Sequence, residues 1–494
     1  MIPFIRNLLL PLLFISDAAL AQTPPVYKDP SRDVTERVQD LLNRMTPEEK
    51  FRQLFMIPGD LTLGEDKLIE GLFGFCVDSR GLTDDAAGQI LQSAGSAHAR
   101  FSAIKINDIQ RFFLKESRLG IPIIPFDEAL HGLVREGATS FPQSIGLAAT
   151  FDTSLMHRVA GAIASETRSR GIRQVLSPVL NIARDVRWGR TEETYGEDPC
   201  LVSGMGHAFI SEFEKRGIIT TPKHFAVNTG DGGRDSYPVH LNERILEEIY
   251  FPAFSAAVRK GGARSVMTAY NSLDGSSCSS NNWLLNRKLK QEWGFRGFVI
   301  SDACAVGGAN VLHMTATDYA DAGKQAILAG LDVIFQTGFA HTALFREPFL
   351  NGDIPPDVID SAVARVLRAK FELGLFDSPF VDPAEAERIN GSAAHREIAL
   401  QAARKSVVLL KNEENALPIR NDISNIVVIG PDAVEARQGG YSGPGNNRVS
   451  LMDGLRKMLP PGVNLHYTPG SGRSEKRPNV ILEDYLVSDS SGKT

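Results

Sequence analysis

A chain of 494 residues, 43% hydrophobic and 8% aromatic with 44 glycines and 27 prolines, can bury a large core and is too varied for a fibrous or disordered polymer. Its 53 basic and 59 acidic side chains leave a formal charge of −6, which gives no electrostatic footprint for a nucleic-acid backbone. Four cysteines, Cys76, Cys200, Cys278 and Cys304, lack the CxxC spacing of zinc or iron–sulfur sites, although two disulfides are open to them in an oxidising compartment.

At the amino terminus, Arg6 precedes the apolar run from Leu8 to Ile15, and Ala19-Leu20-Ala21 then supplies small residues before Gln22. This pattern predicts a cleaved signal peptide over 1–21, hence a periplasmic or secreted protein with no membrane association after cleavage. The run is about half the length needed to cross a bilayer and contains Pro11. Helical periodicity follows from Asp33, and Thr46-Pro47-Glu48-Glu49 opens a second helix with a cap, an N1 proline and acidic first-turn residues.

Short apolar strands then alternate with longer amphipathic helices: 71–77, 121–126, 175–182, 217–225, 263–270, 297–301 and 331–335. An eighth strand is expected within 51–57 or 142–149. Crossover spacing of this kind points to a parallel sheet, and polar residues at nearly every strand end favour a (β/α)8 TIM-like barrel over 33–380. Pro379 and Pro383 introduce a linker at 381–400. Beyond it, 401–494 reads as an incomplete α/β sandwich domain: a helix feeding a strand at 395–413, a buried strand at 425–433, a helix at 450–459 and a strand at 463–468. The Gly-Pro turn after 425–429 has no GxGxxG, so it reads as an ordinary strand end.

Strand ends carry the side chains suited to polyhydroxylated ligands. Asp127, Glu128 and His131 follow the second strand of this list; Arg184, Asp185, Arg187 and Arg190 follow the third; Lys223 and His224 end the fourth; Tyr270 and Asn271 end the fifth; Asp302 ends the sixth. In a barrel these converge on one rim. Arg184, Asp185 and Arg187 fit a structural ion-pair network equally well, whereas a buried Lys223 needs an anionic or hydroxyl partner. His98, His157 and His207 lie inside helical patterns and suit surface or packing roles.

KHFAVN at 223–228, NIARDVRWGRTEETYGEDP at 181–199, GFRGFVISDA at 294–303 and the run 128–152 together resemble glycoside hydrolase family 3, in its β-glucosidase and β-xylosidase branch. The resemblance spans about 100–430. It implies an exo-acting, retaining hydrolase of terminal non-reducing β-D-glucosyl or β-D-xylosyl residues, with the aspartate of the SD motif, Asp302, as nucleophile. It further implies that Glu128, Arg190, Lys223, His224 and Arg234 surround the first sugar and that Tyr270 lies beside the nucleophile. Cations near Asp302 would hold its carboxylate ionised. No metal or other cofactor is required; the partner is an oligosaccharide or β-glycoside, and oligomeric state is not encoded in these motifs.

Two positions depart from many relatives: Glu128 stands where they have Asp, and Ala303 where they have Trp. The longer carboxylate leaves less room for a hexose C6 group, yet the branch includes glucosidases as well as xylosidases. The branch draws its acid/base glutamate from the second domain, and no glutamate in 395–494 matches it; Glu413, Glu414 and Glu435 suit the surface. The acid/base is therefore expected beyond residue 494, with activity of this chain impaired. The alternative is a non-catalytic carbohydrate-binding or structural protein that keeps the sugar pocket.

Overall fold

The computed structural model describes residues 25–77, 79–81, 91–93, 98–230, 233, 235–420 and 422–471. The signal-peptide segment 1–21 and Arg234 lie outside the described residues. Helix α1 (Val34–Arg44) starts where Asp33 accepts a hydrogen bond from the Thr35 amide at 2.7 Å. Helix α2 (Pro47–Gln53) starts on a reciprocal capping box, in which Thr46 Oγ1 accepts from the Glu49 amide and Glu49 accepts from the Thr46 amide.

Eight short parallel strands follow: β1 (Phe55–Pro58), β2 (Gly74–Cys76), β3 (Phe126–Asp127), β4 (Gln174–Val175), β5 (Ile219–Thr220), β6 (Ser265–Met267), β7 (Phe298–Ile300) and β8 (Ile334–Phe335). Ladders join β8 to β1, β1 to β2, β3 to β4, β4 to β5, and β6 to β7. Single hydrogen bonds and bridges supply the remaining links. The Ile124 amide donates to the Phe73 carbonyl between β2 and β3, Phe225 bridges Thr268 between β5 and β6, and Ile300 bridges Val333 between β7 and β8. All eight strands are buried, as a sheet covered by helices requires. Rings from strands that are not neighbours meet: Phe126 of β3 contacts Phe335 of β8 at 5.7 Å, and Phe73 contacts Phe298 at 5.5 Å.

The eighth strand lies at Phe55–Pro58; the other candidate region holds a helix, Ser144–Ala148. Among the described residues the four cysteines form no disulfide, with Cys76 and Cys278 buried and Cys200 and Cys304 exposed. No helix among the described residues is long and apolar enough to cross a membrane.

The stretch 381–400, read as a linker, contains helix Pro383–Ile389 and the start of helix Ala393–Ser406. Glu166, 1% exposed, ties this stretch to the first unit. It accepts from the Thr139 amide and hydroxyl, the Gly391 amide and His395 Nδ1 at 2.7–3.0 Å. Glu166→Ala removes the acceptor for four donors and is expected to cost about 3 kcal/mol, read as a lower urea midpoint at unchanged slope. An unchanged midpoint would remove this role.

Further along, 407–410 is not a strand: Val407, Val408, Leu409 and Leu410 are exposed because no neighbouring strand pairs with them among the described residues. Strand β9 (Asn425–Ile429) pairs in parallel with β10 (Asn464–Thr468), but β9 is half-exposed and exposed in alternation rather than buried. Its apolar residues have no second layer among the described residues to cover them.

Candidate functional site

Asp302 follows β7 and is 7% exposed. Its Oδ1 accepts from the Ala303 amide at 2.7 Å, while Oδ2 is buried with no hydrogen-bond partner. His224 Nε2 approaches Oδ2 at 3.5 Å. Burial raises the Asp302 carboxyl to about 6, outweighing the opposite pull of Arg190 and Lys223. Here the expected balance is reversed: the cations are present, but desolvation is the larger effect.

Lys223 and Glu128 form a buried pair, with Nζ donating to both carboxylate oxygens at 2.9 and 3.0 Å. Burial lifts Glu128 to about 7 despite this lysine, and the neighbouring Asp127 and Asp302 add to the rise. Asp127 itself turns away, bound to Arg135 at 2.6 Å.

His224 is fully buried between polar neighbours. Asn181 Oδ1 accepts from both its backbone amide and Nδ1, at 2.9 and 2.8 Å, which leaves Nε2 to accept from Arg190 Nη2 at 3.3 Å. Burial, then Arg190 and Lys223, hold its pKa well below the usual histidine value, so the ring is neutral. Val227 and Asn228 just beyond it adopt φ of 82° and 59°, a region a β-branched residue rarely enters. Asn181 Nδ2 donates to the Val227 and His224 carbonyls, and Asn271 Oδ1 accepts from the Asn228 amide, so two asparagine side chains hold the strained turn in place.

Arg190 is clamped by Glu193, Nε and Nη2 each donating at 2.8 Å, with Asp235 at 3.4 Å. Tyr270 donates its hydroxyl to the Ala303 carbonyl at 3.1 Å, one residue from the buried aspartate, and burial pushes its pKa up. The Arg187–Asp185 pair is exposed and bound to itself, which fits the structural reading of that segment. His98 faces Glu136 on the surface and His157 pairs with Glu212, both away from Asp302. Glu413, Glu414 and Glu435 are exposed. No group of three or more metal-ligating side chains occurs among the described residues.

One member of the site had no sequence signal of its own. Tyr441, in the second unit, is 8% exposed; Lys223 Nζ lies 4.7 Å from its ring centre and Arg190 Nη2 lies 3.5 Å from its hydroxyl. Backbone contacts hold its loop down. The Gly440 amide donates to Glu192, and the Gly440 carbonyl accepts from Gln143 and faces His131 Nε2. Gly439 has φ of 82°, and a Cβ there would meet Gln143 at 2.2 Å, so only glycine fits. Asn181, Asn228 and Glu193 were also unflagged, although Glu193 stands three residues from Arg190 within the same motif.

Residues 48–369 match the glycosyl hydrolase family 3 N-terminal domain, and 407–484 match the family's C-terminal domain. The chain belongs to glycosyl hydrolase family 3. It is 37% identical over 401 residues to a β-xylosidase of Formosa agariphila, covering 74% of this chain and 55% of that protein. It is 31% identical to a periplasmic β-glucosidase of Salmonella typhimurium, covering 88% and 56%. A solved β-glucosidase from Erythrobacter marinus superposes with a TM-score of 0.82 at 32% identity, over 91% of this chain and 60% of that one. These family members are longer; the chain spans about half the length of the curated relatives it matches. Two α/β units in series are the family's arrangement in this chain.

Proposed function

We propose that this protein is a retaining, exo-acting β-glycosidase in which Asp302 is the nucleophile. The observation that carries the reading is a buried carboxylate with one oxygen left unbonded, ringed by Arg190, Lys223, a neutral His224 and Tyr270. Oδ2 attacks the anomeric carbon, the glycosidic C–O bond breaks, and the aglycone oxygen takes up a proton, balanced by the one that water releases in the second step. Water then attacks the glycosyl ester, releasing sugar with retained configuration and free Asp302. Glu128, Lys223, His224 and Arg190 bind sugar hydroxyls, and Arg234 is proposed to join them. Hydrogen bonds that tighten at the 2-OH in the transition state supply part of the rate. No residue is assigned as acid/base.

The eight linked strands and the rings that meet between non-neighbouring strands support reading residues 33–380 as one closed (β/α)8 barrel, with 401–494 as a second α/β domain. The pattern at 1–21 supports export to the periplasm or beyond.

The test is labelling by a fluorinated sugar with an activated leaving group, which departs without needing a proton. A single covalent adduct on Asp302, found by peptide mass analysis, is expected. Saturable sugar binding without any adduct would overturn the catalytic reading in favour of a carbohydrate-binding protein.

For the sugar, β-xylosides are favoured over β-glucosides. Lys223 holds both oxygens of the longer Glu128 side chain, and Tyr441 stacks beyond the lysine, so neither group can swing aside for a C6 hydroxymethyl. Glu128→Asp removes one methylene and is expected to shift the xyloside-to-glucoside ratio of kcat/KM toward glucoside by about tenfold. An unchanged ratio would take Glu128 out of sugar selection.

A further inference from the structure

A second polar cavity, of about 410 Å³, opens beside the start of β4. Arg173 forms part of its wall and immediately precedes β4, whereas Asp302 follows the end of β7. In parallel strands these positions lie at opposite ends, so the cavity is separate from the site above. Arg168, Arg216, Ser169 and Phe380 also line it.

The charge at Arg173 is anomalous. Its side chain is buried, with the residue 2% exposed, yet among the described residues no carboxylate bonds to it. Among the described residues Nη1 donates only to the Arg168 carbonyl at 3.3 Å, and Nε is buried without an acceptor. Burial and the neighbouring Arg168 depress its pKa to about 9, and no acidic group among the described residues opposes them. Arg168 is itself exposed, with only a 3.5 Å contact to the Gly217 carbonyl among the described residues, while Arg216 is neutralised by Glu212. A buried guanidinium lacking a counter-charge is costly, and a charged oxygen ligand relieves that cost.

We propose that this cavity is a binding site for a small, singly charged oxyanion, held between Arg168 and Arg173. Asp382 and Glu385 at its edge limit the charge: Asp382 is occupied in capping a helix, and Glu385 faces Arg388 at 3.6 Å. They disfavour polyanions and can accept hydrogen bonds from hydroxyls. The ligand is thus a monoanionic phosphate or a carboxylate on a hydroxylated molecule such as a sugar acid.

Calorimetric titration of the full chain at low salt, with inorganic phosphate, D-glucuronate and D-glucose as separate probes, tests this. Saturable binding of phosphate or glucuronate, and none of glucose, is expected; which anion binds more tightly identifies the source. Arg168→Ser, an exposed change, is expected to weaken binding by about tenfold or more, and Arg173→Gln by at least as much. Labelling of Asp302 is expected to be unaffected by Arg168→Ser. Absence of saturable anion binding by the unmodified chain up to about 50 mM would overturn the proposal, as would undiminished binding in Arg168→Ser.

Discussion

Asp302→Asn is expected to lower kcat/KM for an activated aryl glycoside by about 10⁴-fold or more, because the amide cannot form the glycosyl ester. Azide added to Asp302→Gly, where space replaces the carboxylate, should restore turnover and give a product of opposite anomeric configuration. Retained activity in Asp302→Asn would remove the nucleophile assignment. The pH profile follows from the same carboxyl. With a pKa of about 6 in the fold, the ionised form is lost as pH falls through that value, so kcat/KM should drop about tenfold per unit below it. A profile flat down to about pH 4.5 would contradict this.

Stability should move the other way. The folded carboxyl is raised from 3.8 to about 6, so its favourable contribution exists below the unfolded value and is lost as pH rises through the folded one. At neutral pH the ionised form therefore costs the fold up to about 3 kcal/mol. Asp302→Asn should recover part of this, with the gain growing between about pH 4 and pH 6 and level above.

Lys223→Met carries the second large effect. It leaves Glu128 buried without its counter-charge, which drives that carboxyl further above its present value of about 7 and leaves it protonated at neutral pH. A fall of about 10²–10³-fold in kcat/KM is expected, since both the lysine and the ionised glutamate are lost to the sugar. Folding should lose about 3–5 kcal/mol at pH 8 and less at pH 5, where Glu128 accepts a proton without penalty. A pH-independent deficit would show that the lysine acts only through packing.

The sequence was most informative where chemistry and strand ends coincide. Lys223, His224, Tyr270 and Asp302 each stand at the end of a short apolar run, and parallel strands bring such ends together whatever the intervening helices contain. Two kinds of feature were not legible. The direction of the Asp302 shift depends on how much water the fold removes, and no motif reports burial. Tyr441 is one aromatic in a glycine-rich loop whose value comes from contact with residues more than 200 positions earlier. The same locality misled at 407–410: an apolar run has strand character, but becoming a strand needs a partner to bond with.

If the proposed pocket binds sugar, Tyr441 also couples sugar occupancy to loop attachment. The loop is fastened through Gly440 to Glu192 and Gln143, and it brings the tyrosine onto Lys223 and Arg190. Any sugar that gains contacts from the assembled arrangement must, by reciprocity, tighten the loop's hold by the same factor. Saturating substrate analogue should thus slow proteolysis within 437–446, and loosening the loop with Gly439→Ala should weaken sugar binding. The second unit thus supplies part of the proposed sugar pocket directly, through Tyr441 on Lys223 and Arg190.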